Sequence, residues 1–80
     1  MKDNLLAYKD YKWIVKDPNY LNGNLAIRGT RLPVHMILQC LAEGMTLQEI
    51  NDTYTAFPQE ALAEALLVAA DAVREADVAA

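Results

Sequence analysis

The apolar residues of this chain fall into two regimes. Before residue 32 they come in short clusters, and after it they recur at helical spacing. Trp13-Ile14-Val15 is a β-rich run stopped by Asp17-Pro18. Leu25-Ala26-Ile27-Arg28 is a second such run, and Asn22-Gly23 between them is a turn signal because both residues tolerate positive φ. The pattern predicts two short strands, paired with each other or with their copies in a dimer. A lone two-stranded hairpin is marginal in water, so it should dock on helices or on another chain. Gly29 marks positive φ or a close backbone approach. Residues 1–12 are mixed and polar and read as a short helix or an arm.

From residue 32 the period changes. Pro33 suits a first helical turn, and Val34, Ile37, Leu38 and Leu41 follow at i, i+3, i+4, i+7. Gly44 is placed to end this helix as a left-handed cap. Thr46 and Glu49 form a Thr-x-x-Glu capping box for a second helix, with Met45, Leu47, Ile50 and Tyr54 on its buried side and an end near Thr55. Pro58 opens a third helix, from about Gln59 to about Ala76. Its expected stripe is Leu62, Ala65, Leu66, Ala69, Ala72, Val73 and Ala76, with Glu60, Glu64, Asp71 and Glu75 opposite. The expected fold is mostly α: a three-helix, helix-turn-helix-like bundle with a short N-terminal β-hairpin or β-arm. Residues 1–80 make one domain, with a basic arm and β element over 1–31 and a helical module over 32–77.

Composition and charge sharpen this picture. Eighty residues form a marginal core alone, yet 54% are hydrophobic, which points to apolar surface buried against a second copy or a partner. The net charge of −4 is unevenly spread. Residues 1–31 hold six of the seven basic residues and three acids, a balance of +3, and residues 32–80 hold eight acids and Arg74, a balance of −7. Phosphates would meet only the N-terminal third, and the acidic half suits a basic protein. A single cysteine, Cys40, excludes an internal disulfide and a multi-cysteine metal site. The N-terminus lacks a signal-like apolar region and no run is long enough to span a membrane, so the cytoplasm is the expected compartment.

Few residues carry chemistry. His35 is the only histidine and reads as a surface residue. His35 and Cys40 lie about 140° apart on a helix, which makes a poor dyad. No paired-carboxylate cleft or glycine-rich phosphate loop is evident, so neither enzyme activity, a metal nor a cofactor is expected.

The candidate DNA contacts are Lys9, Lys12, Lys16, Arg28, Thr30, Arg31, Gln48 and Asn51. In a helix-turn-helix the last helix of the pair enters the major groove. With the first two helices as the pair, Gln48, Asn51 and Asp52 face outward. With the last two, Gln59, Glu60 and Glu64 do. Arg28-Gly29-Thr30-Arg31 is either an anion cradle or a turn pinned by arginine hydrogen bonds. Tyr8, Tyr11, Trp13 and Tyr20 interleave with the lysines and read as an interface, a core edge or a single-stranded nucleic-acid platform. The candidate partner or dimer interface comprises Tyr8, Tyr11, Trp13, Leu62, Leu66, Ala69 and Val73.

The segments Ile14-Val15, Asp17-Pro18, Asn22-Gly23, Ile27-Arg28-Gly29-Thr30-Arg31-Leu32-Pro33-Val34, Gly44-Met45-Thr46 and Ile50 together form a specific pattern. From Trp13 to about Ala70 the chain resembles the bacterial family known as domain of unknown function 433. The resemblance implies a helix-turn-helix-like fold and the antitoxin half of a toxin–antitoxin pair, often beside a nuclease-like toxin. It brings no catalytic residues. The implied partners are a second copy in a homodimer and a toxin-like protein with a basic surface, with operator DNA as a further candidate ligand. A protein-interaction module with no DNA binding is the alternative. The family's Tyr-Pro after the second helix is Tyr54-Thr55 here, with the proline delayed to Pro58, and the last third is unusually acidic and alanine-rich.

Overall fold

The computed structural model describes residues 6–16 and 23–79. The stop at Asp17-Pro18, the Asn22 half of the turn, and Tyr20 lie outside the described residues. Three short strands, β1 (Leu6–Ala7), β2 (Ile14–Lys16) and β3 (Ala26–Ile27), form an antiparallel sheet in the order β1-β2-β3. The β2–β3 pair is the hairpin that the pattern predicts, in the register Ile14↔Ile27 and Val15↔Ala26. Residues 6–7, expected as helix or arm, form the edge strand instead, with Ala7 opposite Val15.

Between β3 and the first helix the chain closes a tight loop. Ile27 donates its N–H to the Leu32 carbonyl at 3.1 Å, and Gly29 at φ +79° turns the corner. Thr30 fills the loop. Its hydroxyl donates to the Ile27 carbonyl at 2.8 Å and accepts from the Leu32 N–H at 3.0 Å. A methyl group would meet nothing at Gly29, so positive φ rather than space is what glycine supplies there.

Helix α1 (Val34–Ala42) follows, with Pro33 one residue outside it at the N-cap. It ends in a Schellman motif, in which Gly44 donates to Leu41 and Met45 to Cys40, both at 3.0 Å. Helix α2 (Leu47–Thr53) carries the predicted capping box in full, Glu49 N–H to Thr46 Oγ1 at 3.1 Å and Thr46 N–H to Glu49 Oε1 at 2.8 Å. Helix α3 (Gln59–Ala79) has 21 residues, about 30 Å of helix.

Ile14, Ile27, Ile37 and Ile50 are fully buried, and Leu32, Val34, Cys40, Phe57, Ala61, Leu62, Ala65 and Val68 complete their cluster. Three expectations need correction. Tyr54, expected inside, is 46% exposed, because α2 ends at Thr53 and Phe57 takes the core position. Leu38 and Leu41 are only half-buried, since the buried line of α1 runs through Val34, Ile37 and Cys40. On α3 the buried line is Ala61, Leu62, Ala65 and Val68, which leaves Leu66 48% and Val73 61% exposed, with Ala72 and Ala76 also outside.

Ile50→Ala removes a fully enclosed side chain and should cost about 2–5 kcal/mol. Leu38→Ala, at the core's edge, should cost about half as much or less. Urea denaturation followed by circular dichroism checks both. Equal losses would mean that the buried face of α1 is misplaced.

Candidate functional site

The charged side chains converge on one edge of α3. Asp71 and Glu75 lie seven and eleven residues beyond Glu64, so they fall about 20° to either side of its azimuth. Facing them is the turn from β1 to β2, where Tyr8 donates its N–H to Ile14 at 2.8 Å and Tyr11 to Tyr8 at 3.1 Å. Lys9 takes φ +53° to make this turn. The Tyr8 and Tyr11 rings stack with centroids 6.3 Å apart.

Each carboxylate takes a different group. Glu64 accepts two successive backbone N–H groups, Trp13 on Oε1 at 2.6 Å and Lys12 on Oε2 at 3.2 Å. Asp71 accepts the Tyr11 hydroxyl at 2.7 Å. Glu75 pairs with the Lys9 ammonium at 3.3 Å. Arg74 joins this edge through a 3.0 Å bond to Asp71. Behind the turn, Arg28 donates from Nε to the Lys12 carbonyl at 2.9 Å and from its backbone N–H to Trp13 at 2.8 Å. The Lys12 ammonium sits 5.6 Å from the Trp13 ring centre.

The protonation equilibria follow from these contacts. The Tyr11 hydroxyl holds the Asp71 carboxyl below its ordinary range, against some burial and with help from Arg74 and Lys9. That hydrogen bond, and then burial, holds the Tyr11 phenol above its own range. The Glu75 contact raises Lys9, with Tyr8 and Asp71 adding to it.

This geometry reassigns several residues. Tyr8, Tyr11 and Trp13 are partly buried against the chain's own core, which is the core-edge reading. Thr30 is 7% exposed with its hydroxyl committed to the 27–32 loop, so it is not available to a phosphate. Asn51 donates from Nδ2 to the Phe57 carbonyl at 3.3 Å and accepts the Phe57 N–H on Oδ1 at 3.1 Å. It therefore fixes the α2–α3 corner and seats Phe57. Lys9 and Arg28 serve the turn, while Lys16, Arg31 and Gln48 are exposed.

Among the interface candidates Leu62 is core, Ala69 is half-buried, and Leu66 and Val73 are exposed. These last two lie about 160° round α3 from the acidic edge, beside a mostly apolar groove of about 260 Å³ lined by Leu25, Val34, Leu38, Val68, Ala69 and Ala72 together with Asn24 and His35. A second hollow, of about 300 Å³, is lined by Leu47, Gln48, Asn51 and Asp52 and holds no nucleophile–base pair. No group of three metal-ligating side chains gathers among the described residues, and none of their helices is long and apolar enough to cross a membrane.

The sequence placed Glu64, Asp71 and Glu75 on the polar face of the third helix and offered the acidic half to a basic protein; it did not show that this row holds the chain's own turn. The row's partner was hidden because the turn that meets it lies more than fifty residues away in sequence. The family model described as Protein of unknown function (DUF433) matches residues 14–69. No curated protein and no solved structure matches the chain.

The pH dependence follows with its sign. A carboxyl depressed in the folded chain stabilises it above the unfolded value, and that contribution is lost as pH falls below about 4. A raised phenol and a raised ammonium stabilise it below about pH 10, and that contribution is lost above. The turn should therefore stay closed from about pH 5 to 9 and loosen beyond both limits, seen as a shift in Trp13 fluorescence. Asp71→Asn should flatten the acid limb. An unchanged acid limb in that variant would contradict the Tyr11–Asp71 assignment.

Proposed function

The chain belongs to the DUF433 family, and from that premise we propose that it is a non-enzymatic, antitoxin-like regulator that acts by binding a basic protein. The sign of its helical surface carries this reading. Exposed charges on the described helices are Glu49 and Asp52 on α2 and Glu60, Glu75 and Asp77 on α3, with Arg74 as their one exposed cation, itself bound to Asp71.

A recognition helix must come close to phosphates, where carboxylates are repelled and cations supply most of the affinity. Neither α2 nor α3 offers that chemistry. The lysines and arginines of the sheet side include Lys9, already paired with Glu75, and Arg28, already bonded to Lys12. An acidic helical surface instead complements a basic protein.

Two copies would pair through the other side of α3. Leu66 and Val73 stand out from it beside the apolar groove, and a twofold interface needs one patch that fits itself.

Co-expression with the product of the adjacent gene tests the reading. One stable complex is expected, with relief of any growth arrest that product causes. Lys16→Ala plus Arg31→Ala should leave the complex intact, and the free chain should not shift its own promoter DNA even at low salt. A promoter complex that weakens steeply with salt, without any protein complex, would overturn the proposal.

A further inference from the structure

Residues 6–13 are attached to α3 in the way a bound peptide is attached to a receptor. Glu64 reads only main chain, because both groups it holds are backbone N–H. Asp71 reads a hydroxyl and Glu75 a cation. A segment that makes the same turn and carries a tyrosine and a lysine or arginine can satisfy the same three carboxylates.

Away from the Glu64 contacts the seated segment is lightly held. Its strand is two residues long, Lys9 stands in the left-handed region, and the Lys9–Glu75 pair is exposed. The Trp13 indole N–H is buried with no acceptor. Its aromatic anchors, Tyr8, Tyr11 and Trp13, are only partly buried, and local opening favours segments with incomplete burial and exposed polar bonds. Opening would free the β2 edge, Ile14–Lys16, which β1 now covers. A freed strand edge beside a row of carboxylates is a site for strand addition by a basic segment. Residues 6–13, Asp71 and Glu75 all lie outside the region that matches the family model.

We propose that residues 6–13 are a latch seated in cis on a peptide-binding surface, and that a basic, tyrosine-bearing segment of the partner takes that seat in trans. The proposal rests on the reading of the chain as a binder of a basic protein, and it names the surface. The latch keeps β2 covered until such a segment is present.

The test uses the full chain and a labelled synthetic peptide of residues 6–13. Tyr11→Phe weakens the latch and leaves α3 intact. It should bind the peptide at least about tenfold more tightly than the wild type, by the mass action of a less occupied seat. Glu64→Gln plus Asp71→Asn should abolish that binding when added to Tyr11→Phe. If this variant does not fold, Glu75→Gln, at an exposed position, should still weaken it.

Hydrogen exchange reads the latch itself. The amides of Tyr8, Tyr11 and Trp13 should exchange faster than those of Ile37 and Leu41, and Tyr11→Phe should speed only the first three. Peptide binding that is absent from Tyr11→Phe, or that ignores the loss of the carboxylates, would overturn the proposal. So would exchange of the turn and α1 as one unit. Neither measurement contains the partner protein, so failure here is distinct from failure of the co-expression test.

Discussion

The seating of the N-terminal segment depends on the grip of Glu64 on two backbone N–H groups at the entrance to β2. Strands of two and three residues cannot hold together in water, and these bury Ile14, Val15, Ala26 and Ile27 completely. They must be held against helices, and α3 is the helix that holds them. A carboxylate that accepts two backbone donors fixes position as well as distance, since both oxygens are used. Charge-assisted bonds of this kind are stronger than neutral ones. Tyr11 and Lys9 extend the same attachment about two and three turns further along α3, past the last core residue, Val68.

That attachment explains the split of charge along the sequence. A basic N-terminal third and an acidic C-terminal half look like two surfaces for two outside partners. Part of that complementarity is internal. Glu64, Asp71 and Glu75 meet the chain's own turn, and Arg74 is drawn into the same row. Isolated exposed pairs contribute little, so this row matters chiefly as a way of placing a segment. Its opposite side is uncharged from Leu62 to Val73 and has a different use. One helix thus presents two long faces, one polar and occupied, the other apolar and open.

Much of the fold was legible because local chemistry decides it. The Thr46–Glu49 box and the Gly44 cap involve residues three to five apart, and both form as read. The β2–β3 pairing follows from two β-rich runs with a turn between them. The phase of α3 was not legible. An alanine-rich helix offers several nearly equivalent apolar lines, and contact with β2 and α1 selects Ala61, Leu62, Ala65 and Val68. Thr30 and Asn51 misled for a related reason. Short polar side chains satisfy backbone groups as readily as they meet ligands, and the buried loop at Ile27 and the corner at Phe57 claim them. Within the Arg-Gly-Thr-Arg string Thr30 fills the loop and Arg28 braces the turn, while Arg31 is exposed.

The central claim is that the carboxylates of α3 bind the chain's own N-terminal segment. A double-mutant cycle on Tyr11→Phe and Asp71→Asn, measured as unfolding free energies near pH 7, tests it most directly. The account predicts that the double variant loses clearly less stability than the two single losses added together, because both remove one hydrogen bond. Strictly additive losses would show that the two side chains do not interact, and would contradict the account.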